Sequence, residues 1–141
     1  MSDSDAAPER GQALVEFSLS IVIFLVLVMA IVDMGRGIYT FNGVSQAARE
    51  IARVASVHPG TTFGSTQLTG VINTQKRLIP NLGDPTYSCV DIDGKPGLLD
   101  GRCPSGAQVT VTISAAYGPV TPLMSLTGTW NLRSVSSQRM P

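Results

Sequence analysis

The sequence predicts an α+β fold: one long N-terminal helix, a second short helix and a small antiparallel sheet. Three observations predict it. An apolar run opens the chain, an amphipathic helical pattern follows it, and alternating apolar and polar residues fill the C-terminal third. The 141 residues allow one small domain and a tail. Ten basic and ten acidic residues give zero formal charge, which argues against nucleic acid as a partner. Only 14% of residues are charged and 43% are apolar. A soluble domain carries about a quarter charged residues, so part of the chain is suited to lipid rather than water.

The first element explains that imbalance. Sixteen uncharged residues, FSLSIVIFLVLVMAIV, lie between Glu16 and Asp33. From Gln12 to Val32 there are 21 residues, with Glu16 as the one charge. A helix of that length spans roughly 30 Å, the thickness of bilayer hydrocarbon. A core helix apolar all round is the competing reading, but the remainder is too small to wrap it. Three membrane readings stay open. One is a secretory signal cleaved after Ala30, with Val28 and Ala30 as the small residues before the cut. Its n-region, MSDSDAAPER, is acidic where such signals are basic. The second is an uncleaved single-pass anchor. The third depends on the residues before the run, described below.

Residues 1–10 are polar and expected to be disordered. The helix is expected to start near Gln12 and continue to Val57. VSQAAREIARVASV, residues 44–57, puts Val44, Ala48, Ile51, Ala52 and Ala55 on one stripe. Gln46, Arg49, Glu50 and Arg53 face away. His58-Pro59-Gly60 is the stop signal. Gly35, Gly37 and Gly43 interrupt the pattern at ~1 kcal/mol each relative to Ala. They are candidate hinge residues just past the membrane edge. The competing reading is interfacial anchoring by Tyr39 and Phe41. Asp33 and Arg36, one turn apart, can pair.

Residues 65–79 read as the second helix, with Leu68, Val71, Ile72, Leu78 and Ile79 on one face. Pro80 and Asn81-Leu82-Gly83 close it. Strand patterns follow at Tyr87 to Ile92, Gln108 to Ala116 and Thr127 to Val135. The middle one alternates Val109, Val111 and Ile113 against Thr110, Thr112 and Ser114. Pro119 and Pro122 make the last connection a loop.

The positive-inside signal is weak, with Arg10 before the span and Arg36 after it. Cys89 and Cys103 are the only cysteines, with thirteen residues between them. They have no zinc-ligand spacing, and a single disulfide is the better reading than two buried thiols. That places the C-terminal part outside the cytoplasm. Asp91-Ile92-Asp93-Gly94, with Asp100, has a faint likeness to a calcium loop. The glutamate such a loop needs is missing, so an acidic turn is the plainer reading. His58 lies in a stop signal with no scaffold for a catalytic triad. No metal site, cofactor or active site is expected, and the chain reads as a non-enzyme.

Glu16 is the most informative residue. A carboxylate in an apolar span is costly, by about 2.5–3.5 kcal/mol near a bilayer centre. Near the end of the span it can snorkel to the headgroups, or it can take a partner. Cleavage after Gly11 would make Gln12 the first mature residue and Glu16 the fifth. A neighbouring subunit's carboxylate could then meet the new α-amino group in a medium of low dielectric.

Gly11-Gln12-Ala13-Leu14-Val15-Glu16-Phe17 resembles the processing signature of type IV prepilins. More closely, RGQALVEFSLSIVIFLVLVMAIVDMGR (residues 10–36) and QAAREIARVAS (46–56) resemble TadE-like pseudopilins of the tight-adherence (Tad/Flp) pilus system. VTVTISAAYGPVTPLMSLTG (109–128) does so more loosely. The resemblance implies a pilin-like architecture: a leader over 1–11, a helix over 12–57 with its span at about 12–32, and an extracytoplasmic α+β part over 58–141. It implies a minor pseudopilin of the inner membrane, N-terminus cytoplasmic, cut by a prepilin peptidase between Gly11 and Gln12. Glu16 would be the assembly glutamate, with Phe17 in the aromatic place after it. Other pilins or pseudopilins, the peptidase, the assembly platform and the lipid bilayer would be its partners. An uncleaved anchor presenting a ligand- or ion-binding domain through Asp91, Asp93 and Asp100 is the alternative. Gln12 can also cyclise at a new N-terminus, which would remove the amine.

Overall fold

The computed structural model describes residues 6–58, 62–97, 101–121, 125–126 and 128–141. Helix α1 runs unbroken from Ala6 to Val57. Its 52 residues make it about 78 Å long. It starts six residues earlier than Gln12, so the expected disorder does not hold for residues 6–10. Pro8 is tolerated there because first-turn N–H groups have no partner inside the helix. The C-terminus falls where the stop signal put it. His58 Nδ1 donates to the Val54 carbonyl at 3.0 Å, while Pro59 and Gly60 lie outside the described residues.

Helix α2 covers Thr66–Leu78, followed by strands β1 (Thr86–Val90), β2 (Gln108–Tyr117) and β3 (Trp130–Arg139). The strands form one antiparallel sheet in the order β1-β2-β3. The β2 alternation is as read: Val109, Val111, Ile113, Ala115 and Tyr117 are buried, while Thr110, Thr112 and Ser114 are half-buried on the other face.

Strands β1 and β3 depart most from the pattern. Strand β1 stops at Val90, because Asp91 to Gly94 makes a tight turn. The Gly94 N–H donates to the Asp91 carbonyl at 2.9 Å, and Gly94 has φ 76°. Strand β3 starts at Trp130, after Gly128 at φ 78°, and runs four residues beyond Val135 to Arg139. Its polar end carries no apolar alternation. The Gln108↔Arg139 pairing and a 2.8 Å Thr110–Ser137 hydroxyl contact hold it on β2.

The core lies between the distal half of α1 and the sheet. Val44, Ala47, Ala48, Ile51, Ala52 and Ala55 pack with the inward residues of β2, and Leu68, Ile79 and Leu82 close one side. Small residues on the helix let the sheet approach closely. Leu78 does not share the inner face of α2, being 66% exposed. At 3.6 residues per turn it lies about 80° around the helix from Leu68. Cys89 and Cys103 are joined in a disulfide with Cα atoms 5.7 Å apart, and both are buried.

Candidate functional site

The proximal half of α1 has no cover. Leu14, Val15, Phe17, Leu19, Phe24 and Leu27 are each between 58% and 69% exposed. None of the most apolar stretch is buried against the rest of the chain. A soluble protein does not leave such a surface open, and the helix is long and apolar enough to cross a membrane. Gly11 and Gln12 lie within the helix, and nothing crowds Gly11. Gln12 Nε2 donates to Glu16 Oε1 at 3.2 Å, one helical turn away, on an exposed face. Phe17 follows, 65% exposed. Gly11, Gln12, Glu16 and Phe17, which the sequence singled out, thus lie within two turns of one another near the N-terminal end of the uncovered helix.

The bare half meets the covered half at Asp33, which is 3% exposed. Its carboxylate accepts from the backbone N–H groups of Val120 at 3.1 Å and Thr121 at 3.0 Å, and from the Thr121 hydroxyl. Its backbone carbonyl accepts from the Tyr117 hydroxyl at 2.7 Å. Arg36 is within 3.8 Å, as the one-turn spacing led one to expect. The Thr121 hydroxyl, then the Thr121 and Val120 amides, hold the Asp33 carboxyl below the usual aspartate range, against the opposite pull of burial. This latch fastens Val120 and Thr121, just after β2, to the helix. Sequence reasoning paired Asp33 only with Arg36 and missed it. The available signal was an acid directly after the apolar run, but nothing local names partners 87 and 88 residues away.

The three glycines sit in continuous helix. A Cβ on Gly35 would meet nothing, and one on Gly37 would touch the Tyr117 ring at 3.7 Å. On Gly43 it would press on Ile79 at 3.2 Å. Gly43 therefore permits close approach of the segment after α2. Asp91 is engaged in its own turn, its carboxylate accepting from the Ile92 N–H at 2.7 Å. Asp100 lies outside the described residues, and among the described ones no three potential metal ligands converge.

Residues 11–53 match the TadE-like protein family. The TadE-like match contains the Gly11 to Phe17 motif, the apolar span, the Asp33 latch position and most of the amphipathic stripe. It suggests a membrane protein associated with the Tad pilus. The looser resemblance at residues 109–128 falls outside it. No curated protein and no solved structure gives a significant match.

Proposed function

We propose that the chain is a minor pseudopilin, an assembly component of a Tad-type adhesive pilus. The observation that carries this reading is the juxtaposition of Gly11, Gln12 and Glu16 at the open end of an uncovered apolar helix whose residues match the TadE-like family. The helix sits in the inner membrane, N-terminus cytoplasmic, with the sheet outside, where the Cys89–Cys103 disulfide is at home.

A prepilin peptidase cuts between Gly11 and Gln12. Hydrolysis needs the helix to open locally, and glycine lowers that cost because it is the weakest helix former after proline. The cut creates an α-amino group at the start of the span. Glu16 of a neighbouring subunit then meets that amine, and each charge offsets the desolvation of the other. Other pilins or pseudopilins and the assembly platform bind through the same helix.

The test is N-terminal sequencing and intact mass of the protein from native membranes, with pili scored in parallel. The expected mature chain starts at Gln12 or its cyclised form. Gly11→Val should stay uncut, and Glu16→Ala should be cut yet assemble no pili. A native chain beginning at Met1 or Ser2, or normal piliation in both variants, overturns the reading.

A further inference from the structure

The membrane-facing end of the sheet carries an apolar surface that the span alone does not account for. Val120 is 67% exposed, Leu126 83% and Trp130 44%. Beside them on α1, Met34 is 66% and Ile38 56% exposed. Between helix and sheet lies a groove of about 300 Å³, walled by Met34, Ile38, Phe41, Pro119, Trp130 and Leu132 among others. An open groove walled by apolar side chains marks an interface.

Its position identifies the occupant. The Val120 and Thr121 amides are within 3.1 Å of the Asp33 carboxylate, and Asp33 directly follows the apolar span. The start of the loop, Val120 and Thr121, is therefore fixed at the level where the helix leaves hydrocarbon. Asp33 itself turns inward to that loop, so the lipid-facing surface of the helix continues from Val32 past Met34 into the groove. Arg36, with its side chain 52% exposed, stands at the same level, suited to lipid phosphates. Tryptophan favours this membrane–water boundary. We propose that Val120, Leu126 and Trp130 are immersed in the bilayer interface, giving the sheet end of the protein a second contact with lipid beside the helix. The proposal rests on the reading of α1 as a membrane span.

Trp130 is the chain's only tryptophan and reports on its own surroundings. The full chain is reconstituted into phosphatidylcholine–phosphatidylglycerol vesicles. Trp130 emission is quenched with lipids brominated at shallow or deep acyl positions, and separately with aqueous acrylamide. Retention on carbonate-washed, floated vesicles is measured on the same samples. Shallow bromolipids should quench strongly and acrylamide weakly. The double variant Val120→Asp, Leu126→Asp should reverse that order while retention and circular dichroism stay unchanged. Wild-type protein retained on the vesicles but quenched only by acrylamide overturns the proposal and leaves the span intact. Shielding from both quenchers also overturns it, because a second copy of the chain then fills the groove. Loss from the floated vesicles overturns the span and the proposal together.

Discussion

At Asp33 a single carboxylate gathers two amides and a hydroxyl, while its own carbonyl takes the Tyr117 phenol. Such an acceptor site works only when ionised. The folded-state pKa lies below the unfolded value near 3.9, so the stabilisation is full above about pH 4. It is lost as pH falls through the lower, folded-state value. Thermal melts in detergent should show this acid loss in the wild type and not in Asp33→Asn, whose amide presents a donor to the donors of Thr121. Tyr117→Phe, which deletes one hydrogen bond to the helix, should cost about 1 kcal/mol.

Tyr87 shows the opposite sign. It stacks on Phe63 with centroids 4.1 Å apart, and its buried hydroxyl has no partner among the described residues. Burial first, and the Asp84 charge second, push its phenol up to about 12. The stabilisation from keeping it neutral is present below pH 10 and lost between about pH 10 and 12. Tyr87→Phe should therefore flatten the alkaline limb of the stability profile and raise neutral stability by up to about 1 kcal/mol. Unchanged melting at both neutral and alkaline pH would refute this. Neither residue's role was legible in the sequence. Both depend on contacts across the fold, and a residue pattern records only neighbours along it.

At the scale of elements, the glycines of α1 divide by surroundings that helical periodicity does not contain. Gly35 faces open space, so Gly35→Ala should stabilise the detergent-solubilised protein by about 0.5–1 kcal/mol. Gly43→Ala gains the same propensity but pushes into Ile79, which is buried, and should gain nothing or lose stability. Chemical denaturation of the two variants side by side checks the contrast. If Gly35→Ala is more stable yet blocks piliation, the glycine serves motion during assembly rather than the resting helix.

The helices and β2 were legible because one face of each is apolar at its own period. The stripe from Val44 to Ala55 and the Val109–Ile113 alternation stand in the sequence as they do in the fold. The polar end of β3 was not legible. Ser136 to Gln138 pair through backbone groups that every residue possesses. The early start of α1 was not legible, because polar composition alone does not separate a helical turn from disorder.

For the whole molecule, the core is shared. Residues 44–55 of the helix form one wall, and the sheet forms the other, so neither encloses a core alone. A core this small leans on its crosslink. Reducing the Cys89–Cys103 bond, which closes a loop of 14-residue separation, should lower stability by about 3 kcal/mol. Melts with and without reductant, with Cys89→Ser/Cys103→Ser as control, measure it. The cysteine pairing and a helix long and apolar enough to cross a membrane were both readable from the chain, because each rests on composition and spacing. The joint between that uncovered helix and the sheet was not.

That joint makes α1 a crankshaft. Asp33 lies seventeen positions after Glu16 along unbroken helix, about 25 Å of travel and an azimuth offset of about 100°. Asp33 is held by both its side chain and its backbone, so the helix neither turns nor slides against the sheet without breaking the clamp. Whatever angle Glu16 adopts toward a neighbour at one end is delivered, phase intact, to the open edges of β1 and β3 at the other.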